Sequence, residues 1–170
     1  MTKSQAINFL KQHQPLPPDD YLSKDVSIIQ TFDEVRNYFL GNPDKECIPY
    51  FLNCFGGDDG LGVYQLIEDV VLKYQASEVI PFLISALQSS NYFIRYWNTQ
   101  IASLFPDPIL LKPLAKILSE DSFDIKSAAI VAIEQVGSKK AKSILEVYRE
   151  QEQDEELQSL AEEAISSLGG

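Results

Sequence analysis

Histidine, methionine and tryptophan occur once each in this 170-residue chain, and cysteine twice. The lone imidazole, His13, has no CxxC or HxxxH spacing around it, so neither a metal nor a cofactor is expected. Serines are plentiful, but no base and orienting group accompany them, and the chain reads as a non-enzyme. His13 itself reads as a surface or C-capping residue near the end of the first helix. Cys47 and Cys54 stand seven positions apart, roughly 10 Å along a helix, which is too far for a disulfide; they read as core thiols.

Positive charge is also scarce. Fourteen Lys and Arg face 25 Asp and Glu, for a net charge of −11. Such a chain repels polyphosphate and lacks the counterion release that drives non-specific nucleic-acid binding, so a nucleic-acid partner is disfavoured. The same field steers a basic protein toward the surface, although acidity also serves solubility. No apolar run approaches the roughly 18 residues of a membrane span. The opening residues 1–10 have neither an apolar core nor a small-residue cleavage site, so they do not read as a signal peptide. A cytoplasmic monomer with no membrane partner is the expectation.

What the chain has is apolar surface, 45% hydrophobic and 11% aromatic residues, written in a repeat. Ile125, Ala128, Ala129, Ala132, Ile133 and Val136 form the stripe of an amphipathic helix. Shifted forward by 32 the stripe falls on Leu157, Leu160, Ala161, Ala164, Ile165 and Leu168. Shifted back by 31 it falls on Ile94, Trp97, Asn98, Ile101, Ala102 and Phe105, and by another 31 on Val63, Leu66, Ile67, Val70, Val71 and Tyr74. A weaker echo at Phe32, Val35, Arg36, Phe39 and Leu40 suits a degenerate terminal cap.

Each stripe follows a shorter helical pattern, and Pro49, Pro81 and Pro113 recur every 32 residues near the starts of these first helices, where a missing amide donor costs little. The pattern predicts helices near 3–13, 26–40, 44–55, 61–74, 77–88, 92–105, 108–118, 123–136, 139–151 and 154–168. A proline-rich connector, 14–20, is expected to be extended. The organisation is then a helical cap over 1–42 and a repeat array over 43–170, in units near 43–75, 76–106, 107–137 and 138–170.

Asp124-Ile125-Lys126, Ala128-Ala129, Ala132-Ile133 and Val136-Gly137 resemble the second helix of a HEAT repeat: an acid, an aliphatic, a base, paired small residues and a closing glycine. Asn91 to Phe105, with Ile94-Arg95, is similar but carries Trp97-Asn98 in place of the small pair. The resemblance covers roughly 43–168. It implies an all-α fold, a right-handed α-solenoid of about five helical hairpins, four HEAT-like repeats plus the N-terminal pair. HEAT-like solenoids include partner-binding scaffolds, phycobiliprotein lyase subunits, a DNA glycosylase family and inhibitors of bacterial toxins, and fold alone does not choose among them. The glycosylases use a basic concave surface, which this chain lacks.

With the stripes facing inward, the other face of each second helix is expected to line the concave surface. Its middle is Tyr64, Gln65, Glu68, Asp69, Arg95, Tyr96, Thr99 and Gln100, and Ile130 and Val131 are expected to be exposed and apolar at the matching place of the next unit. Tyrosine and arginine often dominate interface energy. The competing reading has Arg95 paired with Glu68 or Asp69 while the tyrosines merely cover the groove. The turn Gly56-Gly57-Asp58-Asp59-Gly60-Leu61-Gly62 precedes a helix N-terminus able to hold an anion. Its aspartates oppose that, so it reads as hairpin geometry with Asp58 or Asp59 as a cap, or as a rim contact. The expected function is protein binding on this ridge, in its sharpest form an acidic neutraliser of a basic bacterial toxin. The alternatives are a phycobiliprotein lyase or maturation-factor subunit, and a structural adaptor.

Overall fold

Local chemistry at the helix starts explains where the chain becomes helical. Thr2 and Gln5 form a reciprocal capping box on α1 (Lys3–Gln12), satisfying amide donors that a helix start leaves without partners. Asp25 caps α3 (Val26–Gly41), Ser138 caps α10 (Lys139–Gln151) and Asp154 caps α11 (Glu155–Ser167) through side-chain acceptors. A computed structural model describes residues 1–120 and 122–169. Between these capped elements lie α2 (Asp19–Leu22), α4 (Ile48–Leu52), α5 (Ile67–Val71), α6 (Ala76–Ala86), α7 (Tyr92–Ala102), α8 (Leu111–Glu120) and α9 (Phe123–Gln135). Among the described residues there is no strand.

Three expectations about the helices change. The helix expected from 61 begins as a 3-10 turn at Tyr64–Leu66 and becomes α-helical only at Ile67. Gly60, Leu61 and Gly62 have φ of +59°, +53° and +88°, a left-handed run that a right-handed helix cannot contain. The helices expected from 44 and 108 likewise open with 3-10 turns, Lys45–Cys47 and Pro108–Leu110. The connector expected to be extended through Asp20 instead makes the helical turn α2, which Pro18 precedes.

The chain forms two compact units, Met1–Trp97 and Asn98–Gly170, and the division falls within α7. In the first unit Phe51 receives the rings of Phe32 and Phe39 edge-on at 5.9 Å each, so α3 and α4 share one aromatic core. Ile67, Val70 and Val71 of α5 and Val79, Leu83 and Ala86 of α6 are buried. Arg36 occupies its apolar slot by pairing with Asp33 at 2.8 Å. Cys47 and Cys54 are free and buried; burial pushes the Cys47 thiol up to about 11 and the Cys54 thiol well above its ordinary value.

In the second unit α8 and α9 form one hairpin and α10 and α11 the next. The α9 stripe (Ile125, Ala129, Ala132, Ile133) and the α11 stripe (Leu157, Ala161, Ala164, Ile165) are buried, and the small residues among them let α9 lie closely along α11. The first helices, α8 and α10, touch more sparsely, leaving a trough between them. Ile130 is buried, against the expectation of exposure, and Val131 is exposed.

Candidate functional site

The ridge residues divide sharply by burial. Tyr64 is fully buried: its ring meets Phe55 edge-on at 5.1 Å and Trp97 at 5.7 Å, and its hydroxyl accepts the Gly56 N–H at 3.0 Å. Burial raises its pKa well above the ordinary phenol value. Thr99 is fully buried too. Both are therefore scaffold, because the polar slots of an amphipathic helix become core wherever a neighbouring element crosses them. Gln65 is exposed and donates to the Gly62 carbonyl at 3.2 Å.

Glu68 is half-buried and Asp69 exposed, side by side in the first turn of α5. Among the described residues neither has a cationic partner. Desolvation, with the adjacent Asp69 charge, raises the Glu68 pKa above its ordinary value, so this carboxylate is held charged at a cost. Arg95, half-buried, donates from Nη1 to the Ser89 carbonyl at 2.9 Å. Gln100 lies past the division of α7, half-buried, and its side-chain nitrogen has no hydrogen-bond partner among the described residues.

Tyr96 belongs to an aromatic series that the ridge reading passed over. Its ring stacks on Tyr92 at 6.2 Å and meets Trp97 edge-on at 5.5 Å; Trp97 in turn stacks on Phe55 at 5.8 Å. The series climbs from fully buried Phe55 and Tyr64 through half-buried Trp97 and Tyr96 to half-buried Tyr92. The spacing of four between Tyr92 and Tyr96 was the available signal. Asn91, whose side chain accepts the Phe93 and Ile94 N–H groups, starts the helix that carries it.

The glycine-rich turn does hold an anion, and the anion is internal. The Asp19 carboxylate accepts the N–H groups of Asp59, Gly60 and Leu61 at 3.3, 3.2 and 3.4 Å. Successive amides converge in this way where the backbone turns left-handed. Neither aspartate caps the helix as expected, because the 3-10 turn at Tyr64–Leu66 starts from Val63 with no side-chain cap; Asp59 accepts the Gly62 N–H at 3.1 Å within the turn, and the Asp58 carbonyl accepts the Trp97 indole N–H at 3.1 Å. Both aspartate side chains remain exposed.

A family model of HEAT repeats matches residues 80–166, slightly more than half of the chain. The chain belongs to the HEAT-repeat family. HEAT repeats are in general protein-interaction modules and typically non-catalytic. No curated protein matches the chain. Among the described residues of this HEAT protein there is no cluster of three metal-ligating side chains, and no helix is long and apolar enough to cross a membrane.

Proposed function

We propose that this HEAT protein is a non-catalytic binding module whose acidic and aromatic surface in the first unit takes a basic protein partner. The residues proposed to contact it are Gln65, Glu68, Asp69, Arg95 and Tyr96, with Tyr92 added and Asp58 and Asp59 at the rim. Gln100, past the division of α7 and with its side-chain nitrogen buried, is left out of this surface. Tyr64 supports this surface from within, and Thr99 is buried in the second unit.

The observation that carries the reading is Glu68. A partly desolvated carboxylate beside a second acid is unfavourable in the free protein, and no cation among the described residues offsets it. A lysine or arginine from a partner would offset it and would also find aromatic faces at Tyr92 and Tyr96. In its sharpest form the partner is a basic bacterial toxin that the chain neutralises, with the net charge of −11 accelerating encounter.

Affinity capture from cells of the source organism tests this, comparing the natural chain with a Glu68→Lys, Asp69→Lys double variant of unchanged melting temperature. Recovery of a basic protein by the natural chain alone supports the reading. Equal recovery by both proteins, or no basic protein at all, overturns it.

A further inference from the structure

A second surface, in the second unit, has a locally basic end. Between Lys112 and Lys142 the chain carries six lysines against four acidic residues, although its net charge is −11. Three of the lysines, Lys139, Lys140 and Lys142, crowd the start of α10, whose first turn contains no acid. The positive end of the helix dipole disfavours cations there. The neighbouring helices follow the ordinary rule, with Asp124 in the first turn of α9 and Glu155 and Glu156 in that of α11.

Of the three, Lys140 stands at one end of the trough between α8 and α10. The trough has a volume of about 560 Å³, and its apolar lining is Ala115 and Leu118 from α8 with Ile144 and Val147 from α10. Val147, on the α10 wall of the trough, is 53% exposed. Lys140 lines the trough, is exposed, and has no ion-pair partner among the described residues.

The acid at the other end is already neutralised. Glu152 accepts Lys126 Nζ at 2.8 Å and the Tyr148 hydroxyl at 2.7 Å on one oxygen, and the N–H groups of Gln153 and Asp154 at 2.8 and 3.1 Å on the other. It therefore offers an incoming acid little repulsion. The trough walls run along α10 from Lys140 to Gln151, roughly 16 Å or three helical turns. Small residues in the walls, Ala115, Ser119 and Ser143, leave room for a ridge of side chains.

We infer that the trough between α8 and α10 is a docking groove for an acidic amphipathic helix of a protein partner, its apolar ridge seated on Leu118, Ile144 and Val147 and its acidic end at Lys140. A second copy of this chain supplies no matching helix from the described residues. Its strongly acidic helix, α11, already buries its apolar stripe within the unit. The groove is independent of the surface proposed above, which lies in the first unit and favours a basic partner.

The test uses the full chain and a fluorescent synthetic peptide about three to four turns long, with leucines at helical spacing and glutamates at one end. A second peptide carries lysines in place of the glutamates. The acidic peptide is expected to bind at least about tenfold more tightly than its lysine counterpart, and Lys140→Glu and Val147→Asp to weaken it by a similar factor at unchanged melting temperature. Equal affinity for the two peptides, no binding up to about 1 mM, or indifference to Lys140→Glu overturns the proposal. Sedimentation of the chain alone at rising concentration is the second readout. A dimer that Lys140→Glu abolishes would reassign the groove to a second copy.

Discussion

Asp19 Oδ1 accepts the backbone N–H of Gly60 at 3.2 Å, joining residues 41 positions apart. The same carboxylate takes the N–H groups of Asp59 and Leu61, while the Leu16 N–H donates to the Cys54 carbonyl at 2.8 Å. The proline-rich connector is thereby clasped to the turn that precedes α5, on which Glu68 and Asp69 stand. Asp19→Ala removes the acceptor from three amides and is expected to cost about 1–3 kcal/mol. Urea unfolding measures this, and faster proteolysis within 14–22 should accompany it.

Glycine at 56 is required by that clasp. A Cβ there would lie 1.8 Å from the Leu16 carbonyl oxygen, whereas one at Gly41 meets nothing within 4 Å. Gly56→Ala is expected to destabilise by about 2–4 kcal/mol because backbone must move. Gly41→Ala, at the last residue of α3, should be neutral or stabilise by up to about 1 kcal/mol. Thermal melting of the two variants checks the contrast.

Tyr64→Phe keeps the ring contacts with Phe55 and Trp97 but removes the acceptor of the Gly56 N–H. A loss of about 1–2 kcal/mol is expected from the stranded donor. Because Trp97 is the chain's one tryptophan, its fluorescence follows this unfolding directly and gives the midpoint.

Glu152 sits at the convergence of α9, α10 and the start of α11, with its carboxyl held down at about 2 by Lys126 and Tyr148. A depressed folded-state pKa contributes stability that is complete above the ordinary glutamate value and fades as pH falls toward 2. Near the surface this is on the order of 1–2 kcal/mol once solvent screening is allowed for. Glu152→Gln should therefore be less stable than the natural protein at pH 7, and the gap should close between about pH 4.5 and 2. Denaturant midpoints across that range test the sign.

Glu68 predicts the reverse. Its raised pKa makes the charged form unfavourable in the folded protein, so the penalty is present at neutral pH and relieved as pH falls through the ordinary carboxylate range. Glu68→Gln should leave stability unchanged or raise it by a few tenths of a kcal/mol at pH 7, and should weaken the proposed basic partner's binding. A loss of both stability and binding would mark Glu68 as scaffold.

The helical hairpins and their buried stripes were legible in the sequence because helix period and core-facing pattern are properties of one segment at a time. Ile125, Ala129, Ala132 and Ile133 declare their face by spacing alone. Burial of the remaining polar slots was not legible. Tyr64 and Gln65 are adjacent in sequence, yet one is core and the other solvent-exposed, because Phe55 and Trp97 close over the first. The left-handed run at 60–62 was hinted at by its glycines, but its consequence, a helix begun three residues late, follows from a backbone in which even Leu61 has positive φ. Tertiary structure alone decided that the turn's anion is Asp19 and that Glu152 gathers Lys126 and Tyr148. Those contacts depend on the path of the chain between distant segments, whereas a stripe depends only on the handedness and pitch of its own helix.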